Sequence, residues 1–574
     1  MVHPSFQLFS SKDCPKFPIL MIADKFTVLS EYCNAFVVLV TGRARIVLSL
    51  WFLVVFLGFD RSPAQRTDEF TSVDAYALSI PKSEATSVDH LANVLERGAR
   101  TDREKARVIY RWITKNISYD THAFFSGNLG DMSAENVLKT LKGVCDGYAQ
   151  LFAALAQSMG LEAQRIVGNS KGYGYVVGSR IEGPPNHAWN AVKIDGVWQL
   201  VDCTWGAGYI DPTKNFVEHF RDYYFLTPAH QFVYDHFPDN PEQQFLSPPV
   251  SKNSYENLVN VQPLFFLYGL KLVSHREGII RADQRVDIVV GAPGNVALLV
   301  QLLQDGRPLD PSLTYVYRSG DEATLTAVFP AVGTYLLRLF AKPRGDIQRQ
   351  YEKALDYQVD VATPIAKAVS FPALFQGFEE YGVKLKSNAE RETRVDRDVS
   401  VELSSAPEFD VIASLERDGT KLDDGYTFVQ SEEGDHIVRA IFPQPGTYLL
   451  TVYGKRKSDA GNYNALLSYR FNSVATSDPN ACYPVAYEEY RERNVRLFSP
   501  MEGRLEAGKD QSFKILVPGA ETVAVVCNGQ WTTLKNDGNT FEGNAVIGAP
   551  KAEVFAKFPG DKQFVGLLRY QGTH

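Results

Sequence analysis

Two words recur through the second half of this chain at a nearly constant spacing. Gly269-Leu-Lys-Leu-Val-Ser274 returns as Gly382-Val-Lys-Leu-Lys-Ser387 after 113 residues, and more loosely as Asn494-Val-Arg-Leu-Phe-Ser499 after a further 112. Phe329-Pro-Ala-Val-Gly-Thr-Tyr-Leu-Leu337 returns as Phe442-Pro-Gln-Pro-Gly-Thr-Tyr-Leu-Leu450, again 113 later. A fixed period of this length means that one folding unit has been copied. From about residue 262 the texture is short alternating runs broken by Gly, Pro, Asp and Asn, which reads as β-sandwich, and the repeat is about the length of an immunoglobulin-like unit. Three modules are predicted, over residues 262–362, 371–475 and 483–574. The Phe-Pro…Gly-Thr-Tyr word reads as a turn into a strand with the tyrosine as a packing anchor. None of the modules carries a catalytic constellation of its own.

The first half is built differently. After Gly143-Val-Cys-Asp-Gly147, the residues Tyr148, Leu151, Phe152, Leu155 and Met159 follow one face of an α-helix, and Gly160 supplies a stop. Cys145 therefore falls in the first turn, where unpaired backbone N–H groups and the helix dipole favour an anion. The thiolate is the nucleophilic form of cysteine. A lone cysteine is more often a buried packing residue, and what tips the balance lies downstream.

Alternating residues flank Asp195-Gly196, a two-residue hairpin signal. With those two as the loop, Ile194 faces Val197, Trp189 faces Asp202 and His187 faces Thr204. His187 and Asp202 then project from one face as diagonal neighbours, within about 7–8 Å at Cα, and a one-residue slip would separate them. A histidine oriented by a carboxylate through one ring nitrogen offers the other to a nucleophile.

Gly143-Val-Cys-Asp-Gly-Tyr-Ala149, Asn186-His-Ala-Trp-Asn190 and Val201-Asp-Cys-Thr-Trp205 resemble, in order, the three motifs of the transglutaminase-like superfamily. Upstream, Ala106-Arg-Val-Ile-Tyr-Arg-Trp-Ile-Thr-Lys-Asn-Ile-Ser-Tyr-Asp120 is similar to the helix and Asn-Ile-x-Tyr-Asp ending that precede the cysteine motif there. Tyr223-Tyr-Phe-Leu-Thr-Pro228 and His236-Phe-Pro238 resemble the kyphoscoliosis peptidase and hillarin branch in particular. The match covers roughly residues 85–250 and implies a papain-like catalytic domain, placed here over residues 70–250. It also implies β-rich repeats after that domain, so the expected fold class is α+β followed by all-β: a papain-like domain and three tandem immunoglobulin-like sandwiches. By the same resemblance Cys145 is the nucleophile, His187 the general base and acid, and Asp202 the orienting carboxylate.

Other groups near these motifs have weaker claims. Cys203 alternates to the opposite strand face from Asp202 and reads as a packing thiol. Two thiols and an imidazole, Cys145, Cys203 and His187, suit zinc in kind. Neither Cys-x-x-Cys nor His-Glu-x-x-His spacing is present, so no metal and no other cofactor is expected. Trp189 and Trp205 read as wall and core; His219, His230 and His236 read as loop or packing residues. The Cys145 backbone N–H is one expected oxyanion donor, with no second donor identifiable.

The chain has 574 residues, 45% of them hydrophobic and 12% aromatic, and carries a formal charge of -8. That length suggests several domains, and no basic run with interleaved aromatics supports nucleic-acid binding. Six cysteines in so long a chain do not make a disulfide framework. Residues 1–64 read as a leader: an apolar run over 46–59 follows Arg43 and Arg45 and precedes Ser62-Pro-Ala64, the arrangement of a secretory signal. Export to a secreted, periplasmic or membrane-anchored location is expected, with the membrane reached only through an uncleaved anchor; a cytoplasmic chain is the alternative. The forty-odd residues ahead of the run are unusual for a signal, and a misassigned upstream start codon accounts for them.

Two functions follow. In the first, a cysteine acyl-transfer enzyme acts on protein or peptide amide bonds, as a peptidase or amidase with water as acceptor or a transglutaminase with an amine. In the second, the domain is a non-catalytic binding or scaffolding module whose sandwich repeats engage structural proteins.

Overall fold

The computed structural model describes residues 40–41, 44–45, 69–346, 349–365, 369–474, 476, 478 and 480–573. The chain divides into two compact units, residues 1–61 and 62–574. In the first, Val40–Thr41 pairs antiparallel with Ala44–Arg45; the apolar run 46–59 and the proposed cleavage site at Ser62-Pro-Ala64 lie outside the described residues. No helix among the described residues is long and apolar enough to cross a membrane.

The second unit begins with helices. Asp102–Asn116 starts with a capping box, in which Thr101 accepts from the Glu104 N–H and Glu104 accepts from the Thr101 N–H. Its buried face, Val108, Ile109, Trp112 and Ile113, packs in one core with Tyr148, Leu151, Phe152 and Leu155 of the helix Cys145–Ser158. That second helix stops as its glycine predicts. Gly160 has φ +78°, and the Leu161 N–H reaches back to the Ala156 carbonyl at 2.9 Å, the six-to-one bond of a left-handed helix cap.

A five-stranded antiparallel sheet lies against these helices. Its order is Phe225–Thr227, Val197–Val201, His187–Ile194, Ala163–Ser170 and His236–Pro238. The hairpin has the expected register from Ile194 opposite Val197 to Asn190 opposite Val201. Asp195 and Gly196 both take positive φ, +49° and +78°, as the tight primed turn requires. The ladder does not continue to Asp202, however. The Asp202 N–H bonds to the Tyr224 carbonyl at 3.0 Å, and the residue caps a short helix, Cys203–Ala207, by accepting from the Trp205 N–H. Cys203 is buried as expected, but in that helical turn and not on a strand.

After residue 258 the unit is three sandwiches in series. Each pairs a larger sheet with a four-stranded one; in the first, strands 352–361, 333–343 and 296–304 form the centre of one sheet and 285–291 and 322–328 the centre of the other. The same strand orders recur in the second and third. Side chains from both sheets, such as Ile288, Leu325, Leu337 and Tyr357, fill a common core. Tyr335 and Tyr448 are buried anchors: each packs on the phenylalanine of its repeated word, at 5.1 and 4.7 Å between ring centroids. Each also donates its hydroxyl to a carbonyl four residues upstream, Ala331 and Gln444, at 2.8 and 2.7 Å.

The first repeated word turns out to be a helix stop. Each sandwich is headed by a five-residue helix, Pro263–Leu267, Gln376–Glu380 or Glu488–Glu492. Gly269, Gly382 and Asn494 then take φ of +69°, +67° and +51°. The N–H groups of Leu270, Val383 and Val495 close the six-to-one bond to Phe265, Phe378 and Tyr490. Left-handed backbone selects glycine, with asparagine the next best tolerated residue, which is why the third copy of the word begins differently. These helices also make the junctions. Phe266 packs on Tyr223 and Tyr234 of the preceding domain, and Glu379 and Glu380 pair with Arg344 and Lys342 of the first sandwich.

Candidate active site

Cys145 is held by the strand before it. Ser118–Tyr119 pairs in parallel with Lys142–Gly143, and the Asp120 N–H bonds to the Gly143 carbonyl at 3.0 Å. The chain then enters the helix with Cys145 as its first residue, preceded by Val144, whose side chain cannot cap. The first-turn N–H groups are thus left for other acceptors. The Tyr119 phenol lies in the electrostatic neighbourhood of Cys145. Burial, and next the neighbouring Cys145, push the Tyr119 phenol up. The sheet is clamped to the helix by Asn190, fully buried, whose side-chain amide donates to the Ala149 carbonyl at 2.9 Å.

His187 is the first residue of the central strand and is buried. Its Nε2 lies 2.7 Å from Asp202 Oδ2, and the Cys145 side chain is among the neighbours that favour its charged form. With Nε2 committed to the carboxylate, Nδ1 is the nitrogen left for the thiol. The structure brings two of the three residues singled out in the sequence, His187 and Asp202, into direct contact, with Cys145 as an electrostatic neighbour of His187. Asp202 gets there as the cap of a helical turn, not as a strand residue.

That carboxylate is 0% exposed and takes part in three hydrogen bonds. Oδ1 accepts the Trp205 N–H at 2.9 Å, while Oδ2 accepts from His187 and, at 3.0 Å, from Nε2 of His236. His236 Nδ1 also lies in hydrogen-bond contact with Asp235 Oδ1, at 2.6 Å, and its ring stacks on Phe232 with centroids 3.9 Å apart. The expectation of a loop or packing role for His236 is therefore corrected: it sits in an edge strand and is a second imidazole on Asp202. Nothing in its spacing from Asp202 announces this, because the contact depends on the strand His236–Pro238 joining the sheet beside Ala163–Ser170. Its only sequence signal was the His-Phe-Pro word. His219 and His230, by contrast, are exposed and stay out of the site.

The charges follow from this arrangement. Burial pushes the His187 imidazole down, but the Asp202 charge and hydrogen bond, with Cys145 behind them, outweigh it and raise the group from 6.5 to about 10. Burial likewise pushes Asp202 up, and His187 and His236 overcome it and hold the carboxyl well below its usual range. A buried charge persists only when paired in this way. A raised folded-state value for a histidine gives stability that is fully present below 6.5 and lost as pH rises through about 10. His187 is accordingly expected to remain an imidazolium from pH 6 to 8. Nitrogen-15 chemical shifts of its ring test this directly; a midpoint near 6.5 would contradict the pairing.

Among the described residues the group within reach of a shared metal ion is His187, Asp202 and His236. The set weighed from sequence, Cys145 with Cys203 and His187, is not such a group. Burial pushes the Cys203 thiol up, and a metal ligand must be deprotonated. The two imidazoles and the carboxylate already satisfy one another by direct hydrogen bonds.

The site opens into a cavity of about 330 Å³. Tyr119, His187, Thr204 and Trp205 line its inner wall. Trp205 thus forms the wall expected of it, while Trp189 is buried in the core beneath. The outer wall comes from the first sandwich, through Asn260 to Pro263 and Lys353.

Residues 89–203 match the transglutaminase-like superfamily, and residues 252–372 and 365–484 each match the KY-like, immunoglobulin-like domain. The chain is 29% identical over 488 residues to kyphoscoliosis peptidase of Homo sapiens, spanning 83% of this chain and 72% of the relative. It is 33% identical over 231 residues to a Lim and transglutaminase domain protein of Caenorhabditis elegans, covering 38% of this chain and 32% of that one. It is 33% identical over 225 residues to hillarin of Drosophila melanogaster, covering 37% and 27%. The chain carries a transglutaminase-like domain followed by KY-like immunoglobulin-like domains.

Proposed function

We propose that this chain is a cysteine-dependent acyl-transfer enzyme acting on protein or peptide amide bonds. The observation that carries the reading is the pairing of His187 Nε2 with the buried Asp202 carboxylate, with Cys145 among the neighbours that favour the charged ring. Cys145 Sγ attacks the carbonyl carbon of a carboxamide or peptide, and the oxygen takes up the developing negative charge. His187 delivers its proton to the departing amine as the C–N bond breaks, leaving a thioester on Cys145. Water or a second amine then attacks that carbonyl, His187 accepts its proton, and the thiolate leaves. Asp202 never gives up its charge in this cycle; it orients the ring and balances the imidazolium. The carbonyl oxygen of the substrate would accept from the Cys145 N–H.

The test is an unbiased screen of peptide amides with and without amine donors, read by intact mass for an acyl group on Cys145 and by product analysis for hydrolysis or transamidation. Acyl-enzyme that forms in the native protein and is absent from Cys145→Ala supports the reading. A broad screen that never acylates Cys145, although the domain is folded, would leave it as a binding module.

A further inference from the structure

The cavity's outer wall belongs to a different folding unit from the thiol, and the charges it brings are of one sign. The short strand Asn260–Val261 pairs with the strand Glu352–Val361, which places Lys353 beside it on the same sheet edge. Among the described residues Asp356 is the carboxylate paired with Lys353, at 3.3 Å, and it is already held in a bidentate grip by Arg338, at 2.7 and 3.0 Å. One buried carboxylate thus faces two cations, and the charge of Lys353 is left over. Across the cleft stands Arg221, whose guanidinium lies over the Tyr209 ring at 5.4 Å and has no carboxylate partner among the described residues. A third cation, Lys171, is tied to the Leu258 carbonyl at 2.9 Å.

Against these three, the one carboxylate among the lining residues is Asp235, which binds His236 and the Tyr224 hydroxyl and whose charge also acts on Lys171, leaving Lys353 and Arg221. The cleft therefore carries a surplus of positive charge on a chain whose formal charge is -8. Low-dielectric walls focus such a field, and a guanidinium and an ammonium facing one space are the groups that receive a carboxylate.

We propose that the substrate of this site carries a carboxylate close to its reacting amide, and that Lys353 of the first sandwich and Arg221 of the catalytic domain receive it across the cleft. The proposal rests on the acyl-transfer reading above and adds its substrate class: an acidic peptide segment, with the charge supplied by a side chain or a chain terminus. It also makes the first sandwich a part of the substrate site.

Matched alkylating peptides test this on the full-length protein. One series is iodoacetyl-(glycine)n-glutamate amide against its glutamine twin, with none to three glycines; the second ends in a free carboxylate or in its amide. In each, the Cys145 thiolate displaces iodide and forms a carbon–sulfur bond, and the rate is read by mass spectrometry. At least one anionic member is expected to react about five-fold faster than its neutral twin, the size of a partly screened charge pair. The series in which this happens identifies the side chain or the terminus as the source. That ratio should fall towards one in Arg221→Gln with Lys353→Gln, and Lys353→Glu should invert the preference. A ratio near one throughout the native protein overturns the proposal. So does a preference that survives the double substitution, since it would belong to the His187 imidazolium. If Cys145 reacts with the neutral peptides no faster than Cys482 does, the acyl-transfer reading fails and takes this proposal with it; that outcome shows in the neutral series alone.

Discussion

Asp202→Asn is expected to leave the protein folded and to lower turnover by about 10³- to 10⁴-fold. Asparagine keeps an oxygen for the Trp205 N–H, so the cap of the Cys203–Ala207 turn survives. Its amide nitrogen, however, replaces the oxygen that accepts from both His187 and His236. Donor then faces donor, the His187 ring must present the wrong tautomer or rotate away, and no charge remains to balance an imidazolium. His187→Ala should cost as much, because it removes the group that moves the proton. The double substitution should cost little more than either alone, as happens when residues serve a single step. His236→Phe keeps the stack on Phe232 but removes one hydrogen bond from Asp202, and a smaller loss is expected. Turnover of a substrate from the screen, with circular dichroism as the check on folding, measures all four. Small or simply additive losses would contradict the scheme.

The largest expected effect on stability lies elsewhere in the domain, at Arg107. This guanidinium is buried between the Phe70 and Phe225 rings, each about 4.9 Å from it. It grips both oxygens of Asp74 at 2.7 Å and also binds Asp222. Three segments, the helices Thr71–Ser79 and Asp102–Asn116 and the turn Asp222–Tyr224, meet on this one cation. Arg107→Ala removes a buried cation from two partly exposed carboxylates, leaving Asp74 only Arg111 at 3.9 Å, and should cost about 2–3 kcal/mol. For a domain of this size that corresponds to a fall in melting temperature of roughly 4–12 °C. Replacing the whole network, Arg107→Met with Asp74→Leu and Asp222→Asn, should recover much of the loss, because the uncompensated charges go with it. Calorimetry of the three proteins separates these cases. A single Arg107→Ala with no measurable shift would show that the ion network contributes nothing.

Local signals carried most of the fold. The apolar stripe from Tyr148 to Met159, the Gly160 stop and the Asp195-Gly196 turn each depend on neighbours a few residues away, and each appears where the pattern puts it. The repeat was legible as a period before its meaning was: Gly269, Gly382 and Asn494 mark left-handed helix caps, a backbone requirement that the sequence expresses only as a preference for small residues. The site was legible as far as local register reaches. Counting along the hairpin brings Asp202 to His187, yet the chain leaves the ladder after Val201 and Asp202 arrives as a helix cap. His236 and Lys353 were out of reach for a stronger reason. Their positions are set by an edge strand 34 residues beyond Asp202 and by the packing of a second folding unit, neither of which any local spacing encodes.

The central claim is that Cys145 is a nucleophile made ready by His187. The most direct measurement is the rate of iodoacetamide alkylation of each thiol across pH 5–9, in the native protein and in His187→Ala. Cys203 and Cys527 are buried, and burial pushes the Cys482 thiol up, so these three are the internal reference. Cys145 is expected to alkylate at least about ten-fold faster than Cys482 at pH 6–7, and to lose that advantage when His187 is removed. If Cys145 alkylates no faster than Cys482, or keeps its advantage without His187, then the histidine does not activate the thiol and the acyl-transfer account is wrong.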